Sequence, residues 1–170
     1  HTFSDDALGS DDATEVARRV RNKDVTALEI TQAAVDRARS ATPINAIVCD
    51  TYDQALERAH SFDSEDRNAP SGAFAAVPFF IKDQLDVKGV PTKYGSRAHA
   101  NRPPAQENEP YAQQFFDMGW ISLGKSTLPE YGFVPSTELE HDEPTHNPWN
   151  LNRTAGGSSG GSAALVAAGV

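Results

Sequence analysis

The stretch Ala155-Gly156-Gly157-Ser158-Ser159-Gly160-Gly161-Ser162-Ala163-Ala164 concentrates hydroxyls and glycines as no other part of the chain does. Glycine reaches backbone conformations closed to other residues, so such a segment can bring amides and hydroxyls close to a ligand. Its plainest reading is a flexible Gly/Ser linker, but the helix-forming apolar run behind it argues for a loop that opens a buried helix. Three chemistries fit such a loop. Backbone N–H groups at a helix start could cradle a phosphate, although no Lys-Ser/Thr pair follows at the P-loop position. The string also satisfies G-x-S-x-G twice, around Ser158 and around Ser159. That elbow needs a strand immediately before it, which Pro148 to Arg153 does not read as, and its acid and histidine partners downstream. The third reading is a serine relay served by a lysine base.

Lys82 would supply the base. It directly follows the apolar run Val77-Pro78-Phe79-Phe80-Ile81, where a strand end would place it in a partly dry pocket. Desolvation disfavours the ammonium form and lowers a lysine pKa, as a neutral general base requires. The same lysine could instead snorkel to water or pair with Asp83 or Asp86. Other candidates are weaker. His99, His141 and His146 lack the i, i+4 spacing with a carboxylate partner that a helical zinc site uses. Ser122-Leu123-Gly124-Lys125 matches S-x-x-K without its companion motifs. Cys49, the single cysteine, reads as a small buried hydrophobe, and alone it builds neither a disulfide framework nor a Cys-based metal site.

These groups need elements to hold them. Val16, Val20, Leu28, Ile30, Ala34, Val35 and Ala38 recur at helical spacing, so the N-terminal third reads as packing helices. Asp24 or Thr26 caps the second helix and Pro43 marks its end. Ile44 to Cys49 reads as a short strand or extended connector, Tyr52 to His60 as a helix, and Asp63 to Gly72 as a polar loop. Ala76 to Ile81 reads as a strand buried on both faces. Tyr111 to Met118 then reads as a helix and Gly119 to Gly124 as the next strand, which suggests a βαβ unit and a largely parallel sheet. Glu130 to Asn152, long, polar and Pro-rich, reads as a loop over a site. Within it, the acidic tract Glu138 to Glu143 reads as a solvated face.

Composition narrows the class. Fifteen Lys+Arg against 24 Asp+Glu give a net charge of −9, which argues against nucleic acid or an anionic membrane as the main partner. Hydrophobic residues at 38% and charged residues at 23% are those of a globular protein. The longest apolar runs, Ala75 to Ile81 and Ala163 to Val170, are too short to span a bilayer, and no charged-then-apolar leader opens the chain. A soluble, cytoplasmic protein is expected. The first residue is His1, and Val170 falls inside an Ala-rich apolar stretch that exposes Leu165, Val166 and Val170 with no glycine cap. A truncated or cleaved chain is the expectation.

Three blocks, in order, carry a family resemblance. Phe79-Phe80-Ile81-Lys82-Asp83-Gln84-Leu85-Asp86-Val87-Lys88-Gly89-Val90-Pro91-Thr92, with Gly95-Ser96, resembles the lysine block of the amidase signature family. Gly124-Lys125-Ser126-Thr127-Leu128-Pro129-Glu130-Tyr131-Gly132 resembles the block that follows it. Asn147-Pro148-Trp149-Asn150, Arg153 and Gly156 to Ser162 resemble the signature itself. The resemblance implies an α/β fold: a mixed, mostly parallel sheet flanked by helices, with an N-terminal helical segment. Residues 1–170 would be the N-terminal part of one domain, with 1–72 mainly helical and 73–170 the start of the catalytic core.

The resemblance also implies hydrolysis of a carboxylic amide by a Ser–cis-Ser–Lys triad. Lys82 would be the base and Ser158 the bridging serine, preceded by a cis Gly157–Ser158 peptide, with Ser159 supporting Lys82. Gly156, Gly157 and Gly132 would be loop positions facing the substrate. The nucleophilic serine would lie in a second Gly-Gly-Ser block beyond the end of this sequence, so the isolated chain should be inactive; Ser162 belongs to the helix start instead. No metal or organic cofactor is implied. The partners implied are a small-molecule amide, the C-terminal remainder of the same protein and, for the whole enzyme, a homodimer. Two alternatives stay open: a glutaminase-type subunit of an amidotransferase complex, and a non-catalytic remnant acting as a binding or assembly piece.

Overall fold

The computed structural model describes residues 5–64, 72–140 and 142–170. Most of the expected 63–72 loop, together with His1 and His141, lies outside them. Helix α1 (Ala13–Arg21) starts where the Asp12 side chain accepts from the Glu15 N–H at 2.9 Å. Helix α2 (Ala27–Ser40) starts with a capping box: the Thr26 hydroxyl accepts the Glu29 N–H, and the Glu29 carboxylate accepts the Thr26 N–H. Thr26, rather than Asp24, is thus the cap. Strand β1 (Ile47–Asp50) leads into helix α3 (Tyr52–Asp63), one turn longer than the spacing indicates. Both oxygens of Asp63, the last residue of α3, accept N–H bonds from Ala27 and Leu28 at 2.9 Å. The buried faces of the three helices meet in one apolar cluster built on Val16, Ile30, Ala34, Val35, Ala55 and Ala59, which also takes in Val77, Ile121 and Leu123 from the sheet.

The sheet has the order β1-β3-β2. Strand β2 (Pro78–Lys82) runs parallel to strand β3 (Ile121–Ser126), and β1 runs antiparallel to it. Helix α4 (Pro110–Asp117) is the crossover between β2 and β3, so the expected βαβ unit is present. Two expectations for these strands differ from the structure. The apolar run of the middle third predicts a strand buried on both faces, yet β2 is half-buried except at Ile81. It borders the described sheet and pairs on one side only, so its faces are less covered than those of β3. Strand β3 begins at Ile121 rather than Gly119, because Gly119 takes φ +88° and, with Trp120 bonding back to Phe115, closes α4. It then runs on through Lys125 and Ser126, both buried.

The long segment after β3 holds a hairpin of β4 (His146–Asn147) and β5 (Asn150–Thr154). Pro148 to Arg153, expected not to be a strand, therefore largely is one. It is exposed along its length, so no apolar alternation is needed. An Asx turn, with the Trp149 N–H on the Asn147 side chain at 2.9 Å, reverses the chain instead. Helix α5 (Gly160–Ala168) ends with Gly169 at φ +93°, its N–H on the Leu165 and Val166 carbonyls and the Val170 N–H on Leu165. The helix expected to lack a glycine cap has one, and Leu165 is buried while Val166 is exposed. Among the described residues no helix is long and apolar enough to cross a membrane.

Candidate active site

Lys82 is the last residue of β2, where the apolar strand gives way to a turn: Gln84 and Leu85 both donate to the Lys82 carbonyl. Its side chain reaches the Gly/Ser loop, and Nζ lies 2.8 Å from Ser158 Oγ, a bond across 76 positions of sequence. Burial alone holds the Lys82 pKa below the ordinary lysine value. Among the described residues Lys82 has no carboxylate within ion-pair distance. Asp83 pairs with Lys125 at 2.9 Å, and Asp86 pairs with Arg102 at 3.1 Å. The two aspartates that could have claimed the lysine are both engaged elsewhere.

The loop is held from beneath. Thr137 bonds the Gly156 carbonyl twice, through its N–H at 2.8 Å and its hydroxyl at 2.7 Å. Thr145 connects to the same threonine and, through a 2.6 Å hydroxyl contact, to Thr127 at the end of β3. Helix α5 then presses on these threonines. A Cβ on Gly160 would collide with the Thr137 side chain, and one on Gly161 with the Thr127 backbone. The Gly157–Ser158 peptide is cis, as expected. Gly132, at φ +71°, stands over the pair: a Cβ there would come 3.8 Å from Lys82 Nζ and from Ser158 Cβ, and 3.4 Å from the Gln84 side-chain oxygen.

The structure thus brings Lys82, Ser158, Gly157 and Gly132 together, with Gly156 anchoring the loop. Ser159 stands apart. It is exposed at the N-cap position of α5, its hydroxyl makes no cap bond, and among the described residues no hydrogen bond joins it to Lys82. Ser162 sits in the first turn of α5 and its hydroxyl meets that of Ser126 at 2.7 Å. Since Ser126 is the register partner of Lys82, this contact ties α5 to the strand pair that carries the base. Ser122 and Lys125 do not act together: the Ser122 hydroxyl turns back to the Gly124 carbonyl while Lys125 reaches Thr92 and Asp83. Cys49 is half-buried rather than buried, and burial raises its thiol pKa, against a thiolate role.

Sequence reasoning passes over the Asp83–Lys125 pair. Its signal lies in the strand-forming run Ile121 to Ser126, since a lysine inside such a run must find a buried counter-charge. Beside the site, Tyr94, His99, Tyr131 and Phe133 form a chain of ring contacts around Gly132. Phe133 is 86% exposed.

Comparison with known proteins gives the family. The family model described as Amidase matches residues 29–170. The AmiC protein of Mycobacterium leprae, which bears an amidase name, is 39% identical over 171 aligned residues, covering all of this chain and 35% of that protein. A glutamyl-tRNA(Gln) amidotransferase chain of Rippkaea orientalis is 39% identical over 156 residues, covering 91% of this chain and 32% of that protein. The solved structure of 6-aminohexanoate cyclic dimer hydrolase superimposes with a TM-score of 0.84 at 31% identity, covering 94% of this chain and 32% of that one. The chain spans about a third of the length of these relatives. On the family match, which runs over most of its length, the chain belongs to the amidase signature family.

Proposed function

We propose that this chain is the portion of an amide hydrolase that carries the proton relay, with Lys82 as base and Ser158 as the bridging hydroxyl. The 2.8 Å contact between Lys82 Nζ and Ser158 Oγ carries the reading. Neutral Lys82 takes the Ser158 proton, and Ser158 takes the proton of a nucleophilic serine supplied by the rest of the longer protein. That serine attacks the amide carbonyl to give an acyl-enzyme. The proton returns along the same path to the departing ammonia or amine, and water then releases the acid. Gly132 brings backbone rather than a side chain up to the pair, and Gly157 packs against the 135–137 segment, which fixes Ser158 beside Lys82. The substrate on this reading is a small-molecule amide, and the setting cytoplasmic.

The pH dependence follows from the direction of the Lys82 shift. Below its folded pKa Lys82 is an ammonium and cannot accept a proton, so hydrolysis rises with pH through that value. Because burial lowers the value, the rise comes at lower pH than a solvated lysine would give. The test uses the longer protein that contains this sequence, with ammonia or amine release from small acyl and aryl amides as the readout. Lys82→Ala and Ser158→Ala should each lose most of the rate, and near-wild-type turnover by Lys82→Ala defeats the assignment. The resemblance to an amidotransferase component favours a second reading, in which the relay releases ammonia from glutamine for a partner protein. Glutamine hydrolysis that needs a co-purifying partner, with no turnover of simple amides, selects it.

A further inference from the structure

Directly behind the relay lies a second polar cluster that the proton path does not use. The Asp83 and Lys125 side chains, each 1% exposed, form an ion pair at 2.9 Å. Lys125 Nζ also donates to the Thr92 hydroxyl at 2.7 Å, and the other Asp83 oxygen accepts the Lys93 N–H at 3.1 Å. The Asp83 backbone is fixed as well, its N–H on the Ser126 carbonyl at 3.0 Å and its carbonyl on the Tyr94 N–H at 3.1 Å. Lys82 and Asp83 are consecutive at the end of β2, and their side chains part there: one goes to Ser158 in the site, the other into the interior.

An uncompensated carboxylate one residue from the base would favour the ammonium form and so oppose its use as a proton acceptor. We propose that Lys125 is a positioning residue for the relay: it holds the Asp83 carboxylate against Thr92 and the 92–93 turn, so that this negative charge is neither free nor offered to Lys82. This rests on Lys82 being the relay base. The other groups on the surrounding elements are engaged or neutral. Asp86 pairs with Arg102 across the turn that follows β2, Glu130 accepts from Ser96 at 2.6 Å, and Ser158 and Gln84 bring no charge. Cys49, the register partner of Lys125 on β1, is kept a neutral thiol by burial; Lys93 reaches Asp83 through its backbone N–H, and its ammonium adds a further, weaker positive charge towards that carboxylate.

The test reads the ionisation of Lys82 without needing turnover. The longer protein is labelled with acetic anhydride across a pH series, and the acetylated Lys82 peptide is quantified by mass spectrometry. Lys125→Gln keeps an N–H donor for Asp83 but removes the positive charge, so the Lys82 midpoint should rise by about one unit, a tenfold loss of reactive amine at lower pH. Asp83→Asn leaves Lys125 as the lone charge and should move the midpoint the other way. The double variant should return it to the wild-type value. Shifts of opposite sign establish the proposal, because a purely structural disturbance moves both variants alike. Unchanged midpoints, or shifts of the same sign, overturn it. Where Lys125→Gln does not fold alone, Asp83→Asn is read with the double variant: a midpoint lowered in Asp83→Asn and restored in the double variant supports the proposal, whereas a midpoint that stays lowered in the double variant, or never moves, sinks it. Amide hydrolysis measured on the same samples separates the two claims, since opposite shifts without any amide turnover would leave the pair standing and remove the amidase reading.

Discussion

The helical layer of α1, α2 and α3 and the strand ends around Lys82 are both well buried, but with different materials. In the helices the buried set is apolar except for Thr31 and Arg37. Around the strand ends it includes Asp83, Thr92, Ser96, Lys125, Ser126, Thr127, Thr137 and Thr145. Apolar contacts are non-directional, so the first region can be stabilised by area alone. Hydrogen bonds and ion pairs are directional and are expensive when left unmade, so the second region fixes positions more than it adds stability. The difference places rigidity of the base and loop, rather than fold stability, in the buried polar groups.

Substitutions can break or sharpen that contrast. Lys82→Ala should show the largest effect, a fall in amide hydrolysis of about 10²–10⁴-fold in the longer protein with little change in melting temperature, because it removes a proton acceptor and little packing. Ile30→Ala, in the helical layer, should do the reverse. Its side chain is fully buried, so truncation should cost about 2–5 kcal/mol in a denaturant titration while the specific activity of the folded fraction holds. Gly161→Ala should blur the contrast, since the added methyl meets the Thr127 backbone. A loss of about 1–3 kcal/mol, with a drop in hydrolysis as α5 and Ser158 shift, is expected; full activity would mean the loop is not braced by this contact. Thr26→Ala should be the mildest, at about 1 kcal/mol from the lost cap, with no effect on rate.

How much of this is legible in the sequence divides along the same line. The helices announce themselves because one apolar stripe at a period of 3.6 needs only a partner surface, and the Thr26-x-x-Glu29 box marks its start in the primary sequence. Lys82 stands out because it ends an apolar run, and Ser158 because its glycine neighbours are distinctive. Their meeting across 76 positions rests on the family resemblance, since no local rule pairs them. The partner of Asp83 is not legible: Lys82, Lys88, Lys93 and Lys125 are all available, and only the register of β2 on β3 selects Lys125. Strand β5 escapes a sequence reading because an exposed two-stranded ribbon carries no hydrophobic alternation.

The carboxylate of Asp63 has a kinetic consequence. It satisfies the first amides of α2 from 36 positions away, so the opening turn of α2 is completed only when the far end of α3 has folded back onto it. The two helices should therefore open as one cooperative unit. In native-state hydrogen exchange, the amides of Ala27 and Leu28 should exchange in step with those of the last turn of α3, and Asp63→Ala should release the former without exposing the middle of α2.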